Sequence, residues 1–222
     1  MDSSITNSQN IPITYKAEVE RKLIHLLSLL IPIIYSFVND KVIGVSIMIP
    51  IMLITLTINY FTNKEGKLRV LLLKMYGDML REHETKPKWY MLNGASYVLI
   101  AATLCLAIFP INIFLVAFSV LVISDTCAAL MGRKFGKKKL FGNKTIVGTL
   151  SFFFSGSFVA LFVVLTRTIE PIGFLFFVIG VLFGTIGELF SNYISIDDNF
   201  IVPILTGGVA WLLFTMFSIP IF

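Results

Sequence analysis

The sequence predicts an all-α, polytopic integral membrane protein with about seven transmembrane helices and one amphipathic helix on the cytoplasmic surface. Three observations carry this reading. The 222 residues are 56% hydrophobic, with a mean hydropathy of +0.87. Several apolar runs reach the ~20 residues that a helix needs to cross the hydrocarbon core. Basic residues gather in alternate connections between those runs. No long linker or low-complexity tract divides the chain, so residues 1–222 read as a single membrane-embedded unit.

The elements follow from apolar runs and their breakers. Residues 1–15 form a polar tail without the basic start and small-residue cleavage site of a signal peptide, so the first apolar segment is expected to stay as an anchor. The first span is expected at about 23–38, ended by the turn pair Asn39-Asp40, and the second at 42–61. Residues 64–89 carry Leu68, Leu71, Leu72, Met75 and Met79 at three- and four-residue spacing, opposite Arg69, Lys74, Asp78 and Arg81. That pattern predicts an amphipathic helix lying on a leaflet surface. Spans three and four, 90–109 and 111–131, are separated by Pro110. A basic, glycine-containing loop over 132–146 leads to the fifth span, 147–166. Pro171 opens the sixth, 171–191, and the seventh covers 200–219.

Charge orients these spans. With the N-terminus in the cytoplasm, sixteen Lys and Arg residues fall on that side and two, Lys41 and Arg167, on the other. This positive-inside asymmetry predicts a cytoplasmic N-terminus. Cys105 and Cys127 both fall in apolar segments without CxxC or CxxH spacing, and read as small buried hydrophobes. No basic-aromatic interleaving of a nucleic-acid-binding kind occurs, and no nucleic-acid partner is expected.

Ionisable residues inside apolar helices are costly, and they mark functional sites by default. Asp125 lies about two turns before Gly132, and Glu188 sits at a similar depth in the sixth span. Asp198 and Asn199 follow on the same side. The stretch "EVERKLIHLL" (18–27) places Glu18, Lys22 and His25 on one helical face with Arg21 beside them. The segment 132–148 adds six basic residues, among them Arg133 and Lys144, and four glycines, among them Gly132, Gly136 and Gly148. Acids, bases and glycines thus converge on the cytoplasmic edge.

Such a mixture suits a nucleoside triphosphate with a divalent cation. Mg²⁺ takes one or two carboxylates plus substrate phosphates. Lysines and loop N–H groups suit the phosphates, particularly where a helix begins, and Lys144-Thr145 immediately precede the fifth span. A substrate reaching the site through the bilayer would be a lipid. The P-loop pattern GxxxxGK[ST] is excluded, because five residues separate Gly136 from Gly142 and Asn143 intervenes before Lys144.

The run "ISDTCAALMGRKFGKKKLFGNKTIVGTLSFFFSG" resembles the signature of the lipid-alcohol kinases that include dolichol kinase, phytol kinase and the fungal CTP-dependent diacylglycerol kinase. "ERKLIHLL" at 20–27, "LREHE" at 80–84 and "GELFSNYISIDDNFIVPILTGG" at 187–208 resemble the family's other motifs, in order. The resemblance implies CTP as phosphoryl donor, a divalent metal such as Mg²⁺, and a membrane-embedded alcohol of polyprenol, phytol or diacylglycerol type as acceptor. It picks out Asp125, Gly132, Gly136, Lys144, Thr145 and Gly148 in the centre, Arg21, Lys22 and His25 at the start, and Glu188, Asp198 and Asn199 at the end.

On this expectation the loop from Gly132 through Arg133 to Lys144 holds the triphosphate, and Asp125 ligates the metal with Asp198 or Glu188 assisting. Either a carboxylate or His25 orients the lipid hydroxyl or accepts its proton. Two alternatives stay open at this point. A phosphatidate cytidylyltransferase-like enzyme would make a CDP-lipid from the same nucleotide, and a transporter or structural membrane protein would do neither.

Overall fold

The computed structural model describes residues 15–64, 66–76, 92–191, 193–194 and 196–221. It is built from nine helices and one small hairpin among those residues. Six helical segments are long and apolar enough to cross a membrane, which gives the chain a multi-pass architecture by length and composition. The polar tail up to residue 14, the motif at 80–84 and residues 77–89 of the amphipathic connection lie outside the described residues.

The first membrane segment starts well before the expected Leu23. Helix α1 runs Tyr15–Leu27 and α2 runs Leu30–Val38. Glu18 and Lys22 face inward, each only 2% exposed. The extension hides Glu18 and Lys22 in ion pairs, which a hydropathy reading cannot see. The break between α1 and α2 has a covalent cause. Pro32 has no N–H and its ring crowds the carbonyl four residues earlier, that of Ser28. The chain responds with tighter turns, Ser28 and Leu29 donating three residues back to His25 and Leu26 at 3.0 Å.

The expected turn at Asn39-Asp40 is present in detail. Asn39 adopts the left-handed conformation with φ 48° and closes α2, a backbone state asparagine tolerates better than most residues. Asp40 caps α3 (Lys41–Asn63) by accepting the Ile43 N–H at 2.9 Å. Helix α4 (Lys67–Tyr76) supplies part of the expected amphipathic connection, and Arg69 reaches back to the Thr62 carbonyl at 2.6 Å.

Helix α5 is shorter than the expected third span. It covers Gly94–Ile108, 15 residues, or about 22 Å of rise, less than the ~30 Å hydrocarbon core. Asn93 sets its start by capping Ser96 N–H at 2.9 Å, and Asn59 in turn accepts the Asn93 N–H at 3.1 Å. Pro110 then precedes α6 (Ile111–Phe135), as its position predicts.

Helix α6 is the axis of the bundle. Its most apolar stretch is 72% buried, against 17% for the α1–α2 segment and 17% for α3. It packs on α1, α2, α5, α7 (Ile146–Thr166), α8 (Pro171–Phe190) and α9 (Asp198–Met216). Phe114 and Phe118 stack on it with ring centroids 5.7 Å apart, while Phe214 of α9 meets Phe176 and Phe177 of α8, each at 5.1 Å. Between α8 and α9, a Cβ on Gly180 or Gly184 would collide with Thr206. Small residues let these backbones approach closely, the usual means of joining helices in lipid.

The predicted loop over 132–146 is more ordered than its composition indicates. Gly132–Phe135 form the last turn of α6, and Gly136 closes it by donating to the Gly132 carbonyl at 2.9 Å. Strands β1 (Lys139–Phe141) and β2 (Lys144–Thr145) then make an antiparallel hairpin. Its tight turn uses Gly142 at φ 53°, a value glycine adopts without a Cβ penalty. The Phe141 ring rests on Phe190 and Tyr193, with centroids 4.8 and 6.1 Å away, which ties the hairpin to the end of α8.

Candidate functional site

Five helix ends bring ionisable side chains to one end of the bundle: the start of α1, the end of α6, the start of α7, the end of α8 and the start of α9. The charges sort into two linked clusters. In the first, Lys22 of α1 donates to the Asp125 carboxylate of α6, and His25 Nε2 stands 3.6 Å from the same Asp125 Oδ2. Glu18 flanks this group, pairing with Arg21 at 2.5 Å and with Arg133 of α6 at 3.0 Å. Asp125 is 7% exposed and Lys22 2%. Two such charges survive burial only by neutralising each other.

The second cluster centres on Lys144. Its ammonium donates to the Glu188 carboxylate of α8 and lies 3.5 Å from Asp198 Oδ2 of α9. Burial works against the charged ammonium, but Asp198 and Glu188 outweigh it, and the Lys144 pKa rises above its ordinary value. Asp125 contributes to the same effect, so the two clusters share one field. Glu188 is 3% exposed, and its Oε2 has no hydrogen-bond partner among the described residues.

Lys144 reaches this position because the end of α6 and the start of α7 lie very close. A Cβ on Gly132 would stand 3.0 Å from Thr145 Oγ1 and 3.3 Å from Gly148 Cα. A Cβ on Gly148 would stand 3.0 Å from the Ala128 carbonyl, and one on Gly136 would strike the Thr145 side chain. Thr145 caps α7 by accepting the Gly148 N–H at 3.1 Å. The expected glycines are therefore packing residues as well as loop residues, and the Gly136 and Gly148 N–H groups already have intramolecular acceptors.

Of the residues singled out from the sequence, Arg21, Lys22, His25, Asp125 and Arg133 fall in or beside the first cluster, and Lys144, Glu188 and Asp198 form the second. Asn199 is 4% exposed and donates through its side chain to Asp197, the α9 cap, at 2.7 Å. Among the described residues no three His, Cys, Asp or Glu groups gather to hold a metal. Asp125 faces Lys22 and His25, and Glu188 and Asp198 share Lys144. The spacing of Glu18 puts it on the helical face of Lys22 and His25, and the fold shows that it joins Arg21 to Arg133.

A cavity of about 420 Å³ opens beside the first cluster. Asp125, His25, Arg21 and Asn199 line it together with Ile24, Ile58, Val98 and Leu99.

The class of protein defined by this fold and site is a multi-pass helical membrane protein with a buried ionic site at one end of its bundle. Comparison with known proteins narrows this only in part. Over 187 residues the chain is 29% identical to an uncharacterized protein of Rickettsia prowazekii (strain Madrid E), covering 84% of this chain and 90% of that one. Over 87 residues it is 34% identical to CTP-dependent diacylglycerol kinase 1 of Schizosaccharomyces pombe, a match spanning 38% of each chain. No family model matches the chain, and no solved structure matches it.

Proposed function

We propose that this protein phosphorylates a membrane lipid alcohol, of polyprenol, phytol or diacylglycerol type, using a nucleoside triphosphate, with CTP the first candidate donor. One observation carries the reading: the half-buried Lys144 is paired with the buried Glu188 and Asp198 next to a Lys22–Asp125–His25 group, at the end of otherwise apolar helices. Structural ion pairs alone do not account for it, since apolar replacements of such buried pairs are commonly neutral or stabilising. The partial similarity to a CTP-dependent diacylglycerol kinase supports the same chemistry.

The residues divide into a donor side and an acceptor side. Lys144 stands at the N-terminus of α7, where a helix dipole already favours anions. Its ammonium, with Arg133 and the basic hairpin, offsets the charge of a triphosphate. The carboxylates of Glu188 and Asp198, one with an unused buried oxygen, fit a Mg²⁺-type cation, which would supply further charge neutralisation on the phosphates. On the acceptor side, Lys22 donates to the Asp125 carboxylate. His25 Nε2, which has no hydrogen-bond partner among the described residues, accepts the proton of the lipid hydroxyl. The lipid oxygen forms a bond to the terminal phosphorus as the bond from that phosphorus to its bridging oxygen breaks. A nucleoside diphosphate leaves. Phosphoryl transfer asks mainly for positioning and charge stabilisation, which these groups can provide.

The test is to incubate the purified protein with CTP or ATP, Mg²⁺ and a panel of lipid alcohols, and to identify both products. A nucleoside diphosphate with a phosphorylated lipid is expected. Pyrophosphate with a CDP-lipid would replace the kinase reading by nucleotidyl transfer, and no consumption of either nucleotide would remove both.

A further inference from the structure

We infer that the cavity between α1, α3 and α5 binds the hydroxyl end of a membrane lipid alcohol that enters sideways from the hydrocarbon region. The fate of that hydroxyl rests on the proposed phosphoryl transfer; the fit of the lipid does not. At about 420 Å³ the cavity is within the range of small-molecule sites, roughly 300–1,000 Å³. Its polarity runs from inside to outside in the order opposite to a water-facing pocket. The inner end is polar and closed, with Asp125 7% and Asn199 4% exposed beside His25, whose Nε2 lies 3.6 Å from Asp125 Oδ2 and has no hydrogen-bond partner among the described residues. The mouth is aliphatic and open, with Ile24 54% and Ile58 45% exposed.

The neighbouring surface continues that mouth. Leu23 is 58% and Ile54 60% exposed on the same two helices, so a bilayer would cover the entrance with acyl chains. Arg21 and Asn93 add to the polar lining, and the remaining walls offer little to a hydrophilic ligand. The Ser28 and Thr55 hydroxyls, which line the cavity, already donate to the His25 and Ile51 carbonyls at 2.6 and 3.0 Å. Val98 and Leu99 complete an apolar lining. A buried ring nitrogen without a hydrogen-bond partner costs free energy, and one hydroxyl on an aliphatic neck supplies that partner. The volume takes that end of the molecule, and the remaining chain stays in the bilayer.

Photolabelling tests the assignment directly. The full-length protein in lipid nanodiscs is exposed to a long-chain primary alcohol carrying a diazirine near its hydroxyl, and labelled peptides are mapped by mass spectrometry. Label is expected on α1, α3 and α5. Ile58→Trp at the exposed mouth and Val98→Phe deeper in should each reduce it about tenfold or more, the scale at which a pocket responds to a misfitting group. Ile58→Trp leaves the core untouched, so it stands if Val98→Phe does not fold.

The methyl ether of the same probe should label weakly; equal labelling would overturn hydroxyl recognition. Competition by unlabelled diacylglycerol, phytol or polyprenol supports the site and identifies the source, whereas competition by none of them overturns it. Label spread over all exposed helices and insensitive to both variants also overturns it. Specific labelling without any nucleotide consumption would leave the cavity and remove the kinase reading. Undiminished lipid phosphorylation by Ile58→Trp, with unchanged KM for the lipid, would leave the kinase and remove the cavity.

Discussion

The two ends of the helical bundle use polar residues in different ways. At one end, Asp40 caps α3, Lys41 reaches the Ile108 carbonyl at 3.4 Å, and Arg167 donates to Asn112 at 2.9 Å. The first two finish a helix or cover a backbone carbonyl where chains turn, and the third ties the end of α7 to the start of α6. At the other end, Lys22 pairs with Asp125, and Lys144 pairs with Glu188 and Asp198 across a further two helices. None of those contacts completes a backbone hydrogen bond. The difference teaches that charge at a helix end is not in itself a sign of a site. Buried charges that serve no local backbone need are the better sign.

Breaking the contrast at its strongest point should give the largest effect. Asp125→Asn keeps the shape but leaves Lys22 and His25 beside a neutral partner, and is expected to lower turnover by about 10²–10⁴-fold, the range of acid–base catalysis lost when His25 no longer has its carboxylate neighbour. Near-normal turnover in a folded variant would remove Asp125 from the chemistry. Lys144→Ala comes next, with kcat expected to fall about 10²–10³-fold, as for removal of one charge-stabilising donor. Lys144→Arg should recover little, because a planar guanidinium does not replace a compact ammonium between two carboxylates. Full recovery would show that only net charge matters there.

The raised pKa of Lys144 has a signed consequence. A lysine whose folded pKa exceeds its ordinary value contributes stability that is complete below the ordinary range and lost as pH rises through the folded value. Comparing wild type with Lys144→Met from neutral to strongly alkaline pH should therefore show a difference that is flat at first and shrinks only at the alkaline end. A difference that grows with pH would contradict the pairing.

Smaller effects sharpen the comparison. Thr145→Ala removes the α7 cap and should cost about 1 kcal/mol in thermal unfolding, with Thr145→Ser restoring it. At the opposite end, Arg167→Ala removes a single side-chain hydrogen bond and should cost about 0.5–1.5 kcal/mol without changing activity. Loss of activity in that variant would show that the two ends are coupled.

Much of the fold was legible because membrane helices announce themselves locally. Pro110, Pro171 and the Asn39-Asp40 pair mark boundaries that the structure keeps. Departures from the expected spans occur where residues beyond a helix act on it. Residues 15–22 join the first helix because Arg133 and Asp125 accommodate their charges. The 132–146 loop folds into a helical turn and a hairpin because Thr145 and Phe141 find partners on α6, α7 and α8. Composition registers the glycines and lysines but not those partners.

By itself, then, the sequence determined where apolar helices run, where they turn, and which ionisable residues had to be accounted for. Those are properties of short windows, set by hydrophobic run length and backbone chemistry. Only the tertiary structure decided which charges meet. Lys22 and Asp125 are 103 residues apart, and Lys144 is 44 from Glu188 and 54 from Asp198. Such pairings depend on how closely helices approach, and for Lys144 the approach of α6 to α7 is set by the absence of a Cβ at Gly132, Gly136 and Gly148.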